Sequence, residues 1–180
     1  MKWNKPPVGW HKLNTDGASF GNLGNACRGG IIRDSKRKWV RGFLRSIGYA
    51  TSIVAEVWAL RDGLKLAFSI EIQNLIVELD AKVIVELFKS NNCTNRIFSP
   101  IIDDCRSLLD RFHQVCIEHV YWEGNKGTDA LARRGAIMSE SFAIFTFPLS
   151  TDILSIVNMD ASDMNYVRLM NADLALVARQ

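Results

Sequence analysis

The sequence predicts a single α/β domain built on a mixed sheet, and three features lead there. The stretch up to Ala50 holds three strand-like segments punctuated by glycine-rich turns. A long helical period then starts at Thr51. From Asn74 onward, short apolar runs alternate with helical stretches, the pattern of strands joined by helical crossovers.

Each element has its own justification. "WHKLNTD", Trp10 to Asp16, alternates apolar and polar residues and breaks at Gly17, as a strand entering a turn does. "GNLGNA" is loop chemistry. "CRGGIIRD" and "WVRGFLRSIG" flank the polar "SKRK" and predict a β-hairpin. In "TSIVAEVWALRDGLKLAFSI", Ile53, Val57, Leu60, Leu64 and Phe68 recur at helical spacing, with Ser52 and Thr51 competing as N-cap. "NLIVELD" is a nearly continuous apolar run, as in a strand covered on both faces. "KVIVELFKS" predicts a short helix. "SPIIDDCRSLLDRF" predicts a longer one, capped by Ser99 with Pro100 at its first position. "VCIEHVYWE" is strand-like, and Lys126 to Ser139 is helical. The order is β-β-β-α-β-α-α-β-α. It describes a five-stranded mixed sheet, its first three strands antiparallel, with helices on both faces. Residues 1–140 form this domain; residues 141–180 lose any clean period and are expected to pack on the core as an extension or to be partly mobile.

Composition sets the bounds. Of 180 residues, 48% are hydrophobic and 23% charged, enough for a sizeable core. A net charge of +3 excludes a polybasic coat, so a nucleic-acid partner has to be met by a local patch. The four cysteines form no CxxC pair, and the three histidines lack metal-ligand spacing with them, so reduced thiols in an intracellular protein are expected. No apolar run is long enough for a membrane helix, and "MKWNKPPVGW" has no secretory apolar core. No membrane partner is expected; nucleus and cytoplasm stay open, as does the oligomeric state, with a monomer as the working expectation.

Four acids stand in awkward places. Asp16 ends the first strand, Glu56 lies at the edge of an apolar helix face, Asp80 ends a buried strand, and Asp129 opens the last helix. Singly, each has a bland explanation: loop acid, helix-edge acid, strand terminator, partner of the helix dipole. Jointly they mean more. If the first and fourth strands are neighbours, Asp16 and Asp80 meet, and the first and last helices can bring Glu56 and Asp129 to the same end. Two carboxylates about 4 Å apart repel by roughly 4 kcal/mol at an effective dielectric near 20, so such a cluster needs protons or cations. An all-oxygen site suits Mg²⁺ or Mn²⁺.

In this order, "GWHKLNTDGASFGNLGNACRGGIIRDSKRKWVRGF", "AEVWALRDGLKLA", "NLIVELDAKVIVEL" and "HVYWEGNKGTDALARRGA" resemble the ribonuclease H family. The similarity is greatest to plant ribonuclease H-like domains related to non-LTR retroelement reverse transcriptases, and it extends to "FPLSTDILSIVNMD". The resemblance implies endonucleolytic, metal-dependent hydrolysis of the RNA strand of RNA–DNA hybrids, leaving 3′-hydroxyl and 5′-phosphate ends. It implies two Mg²⁺ ions, with Mn²⁺ as the alternative. Asp16 would bridge both, Glu56 and Asp80 would complete one site and Asp129 the other. Gly17 would let backbone amides approach the hybrid, and Asn125 would contact the RNA strand, unless it is only an N-cap.

The sequence departs from relatives in several places. His119 lies upstream of Asn125 but within an unbroken strand pattern, so it reads as a sheet residue and not as the family's mobile loop histidine. Trp122 replaces the arginine usual in plant relatives, the turn "DSKRK" lacks a glycine, and no long basic insertion precedes the Ser99 helix. Positive charge gathers in the hairpin instead, at Arg28, Arg33, Lys36, Arg37, Lys38, Arg41 and Arg45. Strand alternation divides these between faces, so a subset can hold phosphates without reading bases. Trp39 and Trp58 read as core. Two rivals keep the fold: a catalytically silent retroelement-derived module that binds nucleic acid or protein, and a 3′–5′ exonuclease.

Overall fold

The computed structural model describes residues 3–21, 23–90, 99–121, 128, 142–148, 151 and 153–155. Three strands come first: β1 (His11–Ser19), β2 (Gly24–Arg33) and β3 (Trp39–Ala50). Helix α1 (Ser52–Ser69), strand β4 (Asn74–Leu79) and helices α2 (Lys82–Lys89) and α3 (Ser99–Leu109) follow. Strands β5 (Gln114–His119) and β6 (Ala143–Phe145) end the described order. The sheet runs β5-β4-β1-β2-β3-β6, six strands where five were expected. β1, β2 and β3 form an antiparallel meander, while β4 lies parallel to β1 and β5 parallel to β4. Parallel neighbours require crossovers, and α1 and the α2–α3 segment supply them.

The alternation of β1 sorts its side chains. Leu13 joins Val57, Leu60 and Leu64 of α1 and Val77 of β4 in the main core. Each such buried aliphatic side chain contributes roughly 2 kcal/mol. Gly63 permits this contact, because a Cβ there would come within 2.8 Å of Leu13. Thr51 wins the capping competition: its Oγ1 accepts from the Val54 N–H at 3.4 Å, and Ser52 becomes the first helical residue. Residues Lys126 to Ser139, the expected last helix, lie outside the described residues except for Thr128, which is buried.

Lys12 and Asn14 alternate with Leu13 and carry a polar network. Glu78 of β4 accepts from Lys12 Nζ at 2.6 Å and from Asn14 Nδ2 at 2.8 Å. Asn14 Oδ1 accepts from Trp3 Nε1 and from Arg33 Nη2, both at 3.0 Å. The Arg33 guanidinium stacks 3.6 Å from the Trp3 ring centre. The segment before β1 is thereby anchored through a buried tryptophan. The sequence held the cue, an acid inside the apolar run "NLIVELD", since a buried charge needs a partner.

The sixth strand and the backbone of the β2–β3 turn were not foreseen. β6 pairs with β3, Gly42 opposite Phe145 and Leu44 opposite Ala143, and Ile153 packs in a second small core with Ile31 and Leu44. The β2–β3 turn manages without a glycine because Arg37 takes it, at φ 66°. Asp34 Oδ1 organises that turn, accepting from the N–H groups of Lys36 at 2.8 Å and Lys38 at 2.9 Å.

Candidate active site

Three segments converge at one end of the sheet. The parallel register pairs Thr15 with Leu79, which carries Asp16 and Asp80 side by side just beyond it. Glu56 reaches the same place from the first turns of α1. One carboxylate oxygen from each of Asp16, Glu56 and Asp80 lies within 4.8 Å of the others. Asp16 and Glu56 are buried and Asp80 is half-buried. Asp129, Asn125 and Trp122 lie outside the described residues.

Gly17 makes the convergence possible. A Cβ at this position would stand 2.2 Å from the Glu56 amide nitrogen and 2.3 Å from the Ala55 carbonyl carbon. Its missing side chain therefore admits α1 to the strand, a role separate from the approach of backbone amides to a hybrid that the resemblance implies. The Gly17 N–H also donates to the Glu56 carboxylate.

The electrostatics follow from the crowding. Burial, then the charges of Asp16 and Asp80 and a hydrogen bond shared with Asp16, push the Glu56 carboxyl well above the usual range. The Gly17 N–H opposes that shift without cancelling it. Glu56 Oε2 is buried with no protein hydrogen-bond partner. A buried carboxylate oxygen without a donor, among other carboxylates, matches the oxygen-only donor set of a hard divalent cation.

The basic residues of the hairpin separate sharply. Arg28 is buried, its Nε 2.6 Å from Asp62 Oδ2 and its guanidinium over the Trp58 ring at 4.8 Å. Arg33 is also buried, in the Asn14–Trp3 network. The structure thus turns these two inward. Lys36 and Lys38 are exposed on the turn, with Arg37 half-buried between them. Arg33 stands opposite Lys12, so the turn lies at the far end of the hairpin from Asp16, roughly 20 Å along the strands. Arg45 reaches Asp62 as well, at 3.7 Å. Trp58 is half-buried between Arg28 and Arg61, and Trp39 is half-buried with Nε1 3.4 Å from the Phe145 carbonyl. His119 ends β5 with Nε2 3.2 Å from the Asp80 carbonyl oxygen.

The reverse transcriptase-like family matches residues 14–135, a span holding Asp16, Glu56, Asp80 and Asp129. The chain belongs to this family of ribonuclease H domains. An Arabidopsis thaliana protein named "Putative ribonuclease H protein" is 37% identical over 153 residues, 85% of this chain. The chain spans about a quarter of that relative's length, 24%. Among solved structures, the N-terminal ribonuclease H domain of a Mycobacterium tuberculosis protein superposes with a TM-score of 0.68 at 25% identity, covering 71% of this chain and 94% of that one. Ribonuclease H1 of the archaeon Halobacterium salinarum gives 0.67 at 28% identity, covering 70% and 96%. The fold is the ribonuclease H fold, here with β6 added at the β3 edge.

Proposed function

We propose that this chain is a ribonuclease that cuts the RNA strand of RNA–DNA hybrids endonucleolytically, leaving 3′-hydroxyl and 5′-phosphate ends. The observation that carries the proposal is the meeting of Asp16, Glu56 and Asp80 around the partnerless Glu56 Oε2. These three residues would hold divalent cations, Mg²⁺ foremost and Mn²⁺ as the alternative. Asp129 joins them by its position in the family motif, and two ions are proposed. Bound there, the cations would supply Lewis-acid stabilisation of the phosphate and a more acidic water.

The chain's own residues do the positioning. The β1–β4 ladder, ending at Thr15 and Leu79, delivers Asp16 and Asp80 to the same place, and Glu56 is fixed by α1 seated against Gly17. The Gly17 N–H holds one Glu56 oxygen and leaves Oε2 to the cation. Asn125 is proposed to contact the RNA strand. Lys36, Arg37 and Lys38 are proposed to hold the backbone of a longer duplex; Arg28 and Arg33 are buried in internal pairs. Such contacts act through charge and make binding salt-sensitive.

The test is cleavage of an end-labelled RNA–DNA hybrid with Mg²⁺ and, separately, Mn²⁺, beside Asp16→Asn, with double-stranded DNA and double-stranded RNA as controls. Cutting confined to the RNA of the hybrid and lost in Asp16→Asn is expected. Full activity in Asp16→Asn, or cutting of the controls at equal rate, would overturn the proposal. Salt-sensitive binding without cutting would make the domain a nucleic-acid-binding module instead.

A further inference from the structure

We propose that His119 is a positioning residue that holds Asp80 in place through its backbone. The proposal rests on the metal-site reading above and concerns a residue which that reading leaves unused.

Asp80 sits where the sheet stops restraining the chain. The β4–β5 register ends with Leu79 opposite His119, and the Val120 N–H closes it on the Leu79 carbonyl at 2.9 Å. Asp80 lies one residue past that ladder. Beyond it, α2 starts at Lys82 with Ala81 at the cap position and no side-chain cap hydrogen bond. The peptide after Asp80 is therefore a strand-to-helix corner, yet a metal-binding carboxylate has to be held to about half an ångström.

His119 supplies a restraint at this corner. Its Nε2 is 3.2 Å from the Asp80 carbonyl oxygen. A carbonyl only accepts, so the proton is on Nε2 and the ring donates. The ring is itself held, edge-on to Tyr121 with centroids 5.1 Å apart and planes at 77°. The contact spans two neighbouring strands and ties the third acid's backbone to β5. His119 need touch neither substrate nor cation to act in this way. Outer partners that orient metal-binding groups commonly change metal affinity by about 10–100-fold when lost.

Three variants separate the hydrogen bond from mere filling of space. His119→Phe keeps a ring against Tyr121 and removes the donor. His119→Gln places an amide N–H at nearly the same reach, and His119→Met fills similar volume without a donor. Free Mn²⁺ is followed by electron paramagnetic resonance during titration of each purified protein without nucleic acid, and thermal unfolding is recorded in EDTA. The expected result is Mn²⁺ binding weakened about tenfold in the Phe and Met variants, near-wild-type binding in Gln, and similar metal-free unfolding temperatures. If Phe does not fold, the Met–Gln pair carries the same comparison. Wild-type Mn²⁺ binding in Phe or Met, or equal weakening in Gln and Met, overturns the positioning role alone. A wild-type protein that binds no Mn²⁺ overturns the metal site itself, and His119's role with it.

Discussion

The Gly17 N–H donates to the carboxylate of Glu56, while the Gly17 α-carbon lies so close to the Glu56 backbone that a methyl group would stand 2.2 Å from its amide nitrogen. One position thus both seats the helix and orients its acid. Gly17→Ala has to displace the start of α1, because the clash is with backbone and no rotamer relieves it. A stability loss of about 3 kcal/mol is expected, seen as a fall of roughly 10 °C in thermal unfolding. An unchanged melting temperature would mean that α1 can shift freely.

Glu56 gives the metal-free protein a defined pH dependence. Its folded-state carboxyl is raised by burial and by Asp16 and Asp80, so the folded state binds a proton that the unfolded state releases. The stability associated with that proton is fully present below the ordinary carboxylate range and is lost as pH rises through the folded value. In EDTA, the melting temperature should therefore fall as pH rises from about 4.5 toward neutrality. Glu56→Gln should flatten that fall and raise metal-free stability at pH 7 by about 1 kcal/mol or more, because each carboxylate pair at this separation repels by roughly 3 kcal/mol at an effective dielectric near 20. The same variant should lose hydrolysis. Melting curves across pH, with and without Mg²⁺, check both.

Lys12 and Glu78 form a buried ion pair, with Nζ 2.6 Å from Oε1. Lys12→Met leaves the Glu78 charge buried without its cation and should destabilise the fold by about 3–5 kcal/mol. Lys12→Met with Glu78→Gln keeps an acceptor for Asn14 and removes the orphaned charge. The double variant should recover at least half of the loss in urea unfolding. Additive losses would show that the pair is not coupled.

Arg37 holds a left-handed backbone that suits glycine. Arg37→Gly relieves that strain, while the added freedom of the unfolded chain opposes the gain. The net expectation is a stability change between zero and about +1 kcal/mol. Hydrolysis of a short hybrid should be unaffected, because the turn is remote from Asp16. If Arg37 meets a phosphate of a longer hybrid, the slope of log affinity against log salt should fall by about one. A fall in short-hybrid turnover would place the turn nearer the site than the register allows.

Much of the architecture was readable because periodicity reports burial. The long apolar stripe of α1 and the continuous run of β4 each permit one kind of element, whereas the pairing of the strands carrying Asp16 and Asp80 was a condition that the sheet order meets. Burial of the hairpin arginines was not readable in the same way. β2 is covered on both faces, so alternation along it does not distinguish inside from outside. Arg28 is accommodated there by Asp62, an acid of α1 that reads as surface until the helix is docked. Ala143–Phe145 has no period of its own and becomes a strand only because β3 offers an open edge. Trp3 lay outside every sequence pattern, since its partners Asn14 and Arg33 are brought together only by the sheet.

Asp16, Glu56 and Asp80 come from β1, α1 and β4, and no contiguous stretch of chain carries the cluster. A cation held by all three recognises only molecules in which the meander, the crossover helix and the parallel ladder have formed together. Occupancy would then act as ligand-linked stabilisation, about 2.7 kcal/mol at a hundredfold excess over the dissociation constant. The crowded carboxylates that weaken the bare fold would become the point at which divalent ions retain it. Resistance to proteases would rise with free Mg²⁺ before any nucleic acid is encountered.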